Sequence, residues 1–236
     1  MTTPGPKPDA AGALQTLGEG NRRFAAGQTA HPRGDAARRA LAAASQQSDY
    51  AYATVLSCSD SRVPVEWVFD AGIMDLFVVR VAGNVCNTDE IGCIEYGLAH
   101  VRTPVLVVMG HTQCGAVTAV TRALQGHGHP LERNIPPLVK SIEPAVRRAL
   151  EQGAAEDDAA LLRLAVEENI WQAIENLFLA SPRTRELARA GQARVVGAVY
   201  ELETGLVQWL DERRVRSLLE AAECSPARAR DPFARD

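Results

Sequence analysis

The sequence predicts an α/β fold: a central, mostly parallel sheet of four parallel strands plus an antiparallel edge strand, flanked by helices. Three observations carry this expectation. Four runs of strand length, Tyr52–Ser57, Leu76–Val81, Pro104–Met109 and Arg194–Glu201, are largely apolar with β-branched residues, the pattern of strands covered on both faces. Helical patterns lie between them, as right-handed βαβ crossovers require. A turn at Thr204-Gly205 leads into Leu206–Leu210, which pairs back as the edge strand.

The elements follow in order. Residues 1–9 are polar and Pro-rich and read as a disordered tail. Ala10–Ala26 carries Leu14, Leu17 and Phe24 as apolar anchors behind Asp9, a good N-cap. A second helix over Asp35–Ser45 completes an N-terminal helical arm, residues 10–45. Gln46–Tyr50 is a polar loop before the first strand. Pro64–Phe69 reads as a short helix, and Asp89–Val101 as a longer one with Ile91, Ile94, Leu98 and Val101 on one side. Gln113–Leu124 follows the third strand. A Gly/His/Pro loop over 126–130 leads to helices over Pro137–Glu151 and Asp158–Leu179. Pro182 opens a short helix ending at Gly191, and Asp211–Glu223 closes the fold. Residues 46–224 thus read as one α/β domain and 225–236 as a C-terminal tail.

Composition narrows the function classes. With 236 residues, 46% of them hydrophobic, the chain can bury one substantial core. A formal charge of −4 offers no basic face for nucleic acid and no polybasic patch for a membrane. No run approaches the roughly 20 apolar residues of a membrane span. The N-terminus lacks the basic start and apolar middle of a secretory signal, so the expected location is cytoplasmic. Five cysteines cannot all pair within one chain. Cys86, Cys93 and Cys224 lack polar, motif-like neighbours and read as packing residues or bystanders.

Cys58 and Cys114 differ. Cys58-Ser59-Asp60-Ser61-Arg62 falls just past the first strand run, and His111-Thr112-Gln113-Cys114 just past the third. Ligands of an open parallel sheet collect at the carboxyl ends of its strands. Two thiolates and an imidazole suit zinc and leave one position open, whereas magnesium and calcium prefer oxygen donors. The alternative is a closed structural site completed by Cys86 or Cys93. Two thiolates leave zinc formally uncharged, so water activation benefits from a neighbouring acceptor. Asp60 supplies one, and Arg62 can hold it ionised and aimed through a bidentate pair.

These motifs, with Gly110 and Gly115 bracketing the second, resemble those that define the β-class carbonic anhydrases. Phe77-Val-Val-Arg80-Val-Ala-Gly83-Asn84, Gly92-Cys-Ile-Glu95-Tyr96 and Gly197-Ala-Val-Tyr200 agree with the same family. The resemblance is strong over residues 50–125, weaker to about residue 210 and absent in both tails. It implies reversible hydration of carbon dioxide to bicarbonate and a proton by zinc-bound hydroxide, in a catalytic domain spanning 46–224. It assigns one Zn2+ per subunit to Cys58, His111 and Cys114, with Asp60 as an alternative fourth ligand in a closed form. It implies a homodimer or a dimer of dimers, N-terminal helices packed over the neighbouring subunit, and active clefts at the dimer interface. Phe77, Tyr96 and Ala82 are expected to line the substrate cleft. A family subtype hydrogen-bonds substrate through an upstream glutamine; Asp49 stands at that offset, and Gln47 fills the role if the loop is slightly longer. Members with a non-catalytic bicarbonate pocket carry a Trp where this chain has Val55; Arg80 and Tyr200 match the other two pocket residues, so that pocket is expected to be absent or altered. His127 and His129 are candidate proton shuttles.

Two rival functions use the same residues. One is hydrolysis of a sulfur analogue such as carbonyl sulfide or carbon disulfide; the other is a catalytically silent, zinc-stabilised assembly protein. An ordinary structural zinc has no need of an Asp60–Arg62 pair, which argues against the latter.

Overall fold

A computed structural model of the chain describes residues 7–152 and 157–229. Its five-stranded sheet has the order β2-β1-β3-β4-β5. The strands are β1 (Ala53–Cys58), β2 (Leu76–Val81), β3 (Val105–His111), β4 (Arg194–Tyr200) and β5 (Val207–Trp209). The first four are parallel and β5 is antiparallel to β4, as the apolar runs and the Thr204-Gly205 turn predict. From β1 the chain steps outward to β2, then crosses back to β3 on the other side. The direction of winding therefore reverses between β1 and β3, where such sheets open a crevice at their carboxyl ends. Register sets Cys58 opposite Val81 and His111 opposite Tyr200.

Ten helices surround the sheet among the described residues: α1 (Ala10–Ala25), α2 (Ala36–Ala44), α3 (Val65–Val68), α4 (Thr88–Glu95), α5 (Gly115–Leu124), α6 (Ile135–Val139), α7 (Glu143–Glu151), α8 (Asp158–Ala180), α9 (Pro182–Arg189) and α10 (Glu212–Cys224). Successive strand residues face opposite sides, and the core divides accordingly. Leu56, Val79, Leu106 and Val108 pack under Ile170, Trp171 and Ile174 of α8. Val55, Val107, Met109 and Val196 face Ala13 and Leu17 of α1 and Val65 and Val68 of α3. A third cluster closes the carboxyl end, where Cys58 and Cys114 meet Val117, Ile142 and Val166.

Several expectations are corrected. β1 and β3 run slightly further than the apolar runs suggest, so Cys58 and His111 are the last residues of their strands. The helix expected over Pro137–Glu151 breaks into α6, a 3₁₀ turn over Lys140–Ile142, and α7. Pro144 lies in the first turn of α7, where its missing N–H and ring prevent one continuous helix. The helix expected over Asp89–Val101 is α-helical to Glu95 and then widens into a π-turn over Tyr96–His100. That turn presses on the sheet: a Cβ at Gly97 would lie 2.4 Å from Thr54 Oγ1.

The ends of the chain also differ from expectation. Lys7 donates to the carbonyls of Ser48 and Val101 at 3.2 and 3.0 Å, and Asp9 accepts from Gly12 N at 2.8 Å as the cap of α1. The expected tail is therefore anchored from Lys7; residues 1–6 lie outside the described residues. Ala229 N donates to Leu179 O at 2.8 Å, so the C-terminal segment folds back at least that far; 230–236 lie outside the described residues. The helical arm packs on its own chain. Ala13 and Leu17 are fully buried against this chain's sheet, because the apolar stripe of α1 matches the face left bare by α3. Asn21 then ties α1 down, donating to Val68 O (3.1 Å) and Gly205 O (2.8 Å) and accepting from Val207 N (2.8 Å).

Candidate metal centre and active site

Three donors converge at the crevice between β1 and β3. Cys58 ends β1, His111 ends β3, and Cys114 is the N-cap of α5. All three are buried, and their donor atoms lie within 4.8 Å of one another. The His111 ring is oriented by its backbone: Nδ1 sits 2.9 Å from Thr112 O, which makes it the protonated nitrogen. Nε2 is left as an acceptor, buried and without a protein partner. Buried polar atoms are rarely orphaned, and an imidazole lone pair aimed at two cysteines calls for a cation. The sulfurs tell the same story. Cys58 is drawn down to about 4, first by the Cys114 thiol hydrogen bond against the opposing effect of burial, with the Gly83 and Asp60 backbone assisting. Cys114 is pushed up by the same partner and by burial. The two share one proton, which a divalent cation displaces. The donor set fits zinc.

The other cysteines stand apart. Cys86 is buried in the α8 side of the core, and Cys93 and Cys224 are exposed. Among the described residues none of them joins the cluster, which leaves the closed four-ligand arrangement without its fourth donor.

Asp60 lies beside this cluster, with Oδ2 3.9 Å from His111 Nε2. Arg62 holds it through Nε to Oδ1 (2.9 Å), Nη2 to Oδ2 (2.7 Å) and its backbone N to Oδ1 (2.9 Å). The Arg62 side-chain hydrogen bonds keep the Asp60 carboxyl well below the usual range, despite some desolvation. Arg62 is 48% exposed and Asp60 18%, so the pair adds little to stability; its contribution is orientation. Gln113, in the left-handed region at φ 57°, turns its carbonyl to Arg62 Nη2 at 3.1 Å. Arg80 fixes the other side of the loop, donating to Cys58 O (3.1 Å) and Asp60 O (2.7 Å).

The cleft residues separate into two groups. Ala82 directly follows β2, beside the metal cluster. Phe77 lies four residues before Val81, the partner of Cys58, or about 13 Å back along the strand at the usual rise. Its ring is 6.0 Å from that of Tyr96, which is 51% exposed. Gln47 is exposed in a 3₁₀ turn before β1, at the amino edge of the sheet. One chain therefore does not bring Phe77, Tyr96 or Gln47 to the metal donors. His127 and His129 are exposed beyond the far end of α5, about 15 Å of helix from Cys114. Val55 is fully buried, and Tyr200 packs on Phe24 with ring centres 6.4 Å apart.

Sequence reasoning missed the clamp made by Arg80 and the role of Gly83. Gly83 sits at φ 74° and donates its N–H to Cys58 Sγ at 3.3 Å. A glycine directly after a strand, as in Val81-Ala82-Gly83, is the available signal for such a turn.

A family model described as carbonic anhydrase matches residues 53–207, well over half the chain and all of the site. "Carbonic anhydrase 2" of Mycobacterium tuberculosis is 33% identical over 200 residues, covering 85% of this chain and 92% of its own. The chain belongs to the β-carbonic anhydrase family. The carbonic anhydrase of Mycolicibacterium smegmatis is 32% identical over 203 residues, covering 86% and 94% of the two chains. Among solved structures, the Coccomyxa β-carbonic anhydrase in complex with acetazolamide is 28% identical with a TM-score of 0.61, covering 84% and 86%. The carbonic anhydrase family match begins at β1 and leaves α1 and α2 outside it.

Proposed function

We propose that the chain catalyses the reversible hydration of carbon dioxide to bicarbonate and a proton, with one Zn2+ per subunit held by Cys58, His111 and Cys114. The observation that carries this reading is the partnerless, buried Nε2 of His111, placed among two cysteines and beside an Asp60 that Arg62 has already oriented. Zinc in such a site acidifies water, supplying hydroxide near neutral pH.

The chain's own residues do the rest. Asp60, held ionised by Arg62, accepts a hydrogen bond from a solvent oxygen in the pocket and leaves that oxygen's lone pair free for the substrate carbon. Arg62 and Arg80 prevent the loop from relaxing as charge develops, a form of electrostatic preorganisation. Ala82 gives an uncharged, apolar substrate a wall without hydrogen-bonding demands. The pocket opens at Asp60, and the released proton leaves there to buffer; His127 and His129 do not approach it.

The working unit is a homodimer or a dimer of dimers. β2 is an edge strand carrying half-buried Leu76, Phe77 and Val78, and an unprotected edge of that kind pairs readily with a second copy. Phe77, Tyr96 and Gln47 then complete the cleft of a neighbouring subunit. Among the described residues no helix is long and apolar enough to cross a membrane, and the proposed location is cytoplasmic. The catalytic unit spans 46–224, with 10–45 packed upon it.

Stopped-flow measurement of carbon dioxide hydration, alongside metal analysis of the same preparation, tests the reading. Zinc near one per chain and rapid hydration are expected. A zinc-loaded protein that hydrates carbon dioxide no faster than buffer, or one that turns over only carbonyl sulfide, would overturn it.

A further inference from the structure

Asn169 is one of three buried polar residues in α8, with Glu168 and Gln172. It is 2% exposed, and its helix is otherwise packed into the core through Ala165, Val166, Ile170 and Ile174. A buried amide is costly unless it is hydrogen-bonded. Its Nδ2 donates to Gly83 O at 2.7 Å, across 86 residues of sequence. Gly83 is the residue whose N–H points at Cys58 Sγ. Sterics confine it as well: a Cβ there would lie 2.8 Å from Ile142 Cδ1 and 3.0 Å from Ala116 Cβ. Gly83 is thus gripped on its carbonyl by α8 and left free to donate only toward the sulfur.

We infer that Asn169 is a positioning residue for the metal centre, holding the Gly83 N–H on the Cys58 sulfur so that this ligand is preorganised and its charge partly withdrawn. The inference rests on the zinc reading above. Nothing in it requires Asn169 to touch substrate or metal. Outer partners of metal ligands typically change affinity by about 10–100-fold when removed.

Asn169→Leu removes the amide and suits the apolar surroundings; Asn169→Ala serves if the larger side chain prevents folding. Ile174→Val, on the same helix but away from Gly83, reports simple loosening of α8. Zinc affinity is measured by chelator competition, and the cobalt-substituted proteins supply a sulfur-to-metal charge-transfer band. The expected result is a loss of zinc affinity of about 10–100-fold in the Asn169 variants, with the band moved to longer wavelength as the sulfur becomes more electron-rich. Ile174→Val should keep both affinity and band. Unchanged affinity and spectrum in folded Asn169 variants, or equal losses in Ile174→Val, would overturn the positioning role alone. Failure of the unaltered chain to bind zinc or cobalt would overturn the metal reading and this inference with it.

Discussion

The two ends of the sheet are built differently. At the carboxyl end, β1, β3 and α5 bring Cys58, His111 and Cys114 within 4.8 Å of one another, and Arg62 and Arg80 fasten the loop between them. Everything there is supplied by one chain. At the amino end and along the β2 edge, Gln47 and Tyr96 are exposed and Phe77 is only half-buried, set back from the donors. One end gathers its donors within a single chain; the other holds Phe77, Tyr96 and Gln47, which the proposed assembly would bring to the cleft of a second copy. Metal binding and substrate access should therefore be separable by mutation.

The sharpest test of that separation is at the metal. Cys58→Ala or His111→Ala should bring hydration to the buffer background and leave no stoichiometric zinc by elemental analysis, without changing the association state in sedimentation. Asp60→Asn should retain zinc and lower kcat by about 10²–10³-fold; a nearly unaltered rate would remove Asp60 from the chemistry. Tyr96→Arg, at the other end, should weaken dimerisation and reduce activity while the metal stays bound, so a fully dimeric and active variant would break the comparison. Smaller and independent of both ends is Glu168, whose buried carboxylate accepts from Arg148 at 2.9 Å and Arg214 at 2.6 Å. Glu168→Gln should cost about 3 kcal/mol, seen as a lower Tm. Burial alone would raise this carboxyl, but the Arg214 and Arg148 hydrogen bonds outweigh it and hold it below its usual value. Its stabilisation is therefore complete above the ordinary glutamate pKa of about 4.3 and is lost as pH falls through the lower folded value. The difference in Tm between the parent and Glu168→Gln should narrow in that acid range. Smallest of all, Cys93→Ser should alter neither zinc content nor rate.

The carboxyl end was also the more legible in sequence. Apolar runs locate β1 and β3, and Cys58 and His111 fall at their ends, so strand direction alone brings them together. The amino end is assembled by geometry that one sequence does not display. Nothing in Gln47 or Tyr96 says on which side of a subunit boundary it acts. Asn169 is hidden differently: a polar residue within a long helix reads as a surface position until the chain brings Gly83 against it. The break at Pro144 was visible as a residue but overridden by the apolar periodicity around it. The seat of α1 was hidden too: the apolar stripe at Ala13 and Leu17 marks a face to be buried but not the surface that buries it.

Asn21 gives that last point practical weight. By holding the α3 backbone and the Gly205 turn together, it makes the leading helix a clasp across α3 and the β4–β5 turn. Trimming the chain ahead of β1 to obtain a tidier protein would wet the greasy surface beneath Leu17 and release the β4–β5 hairpin. The shortened product should clump, even with every zinc donor present.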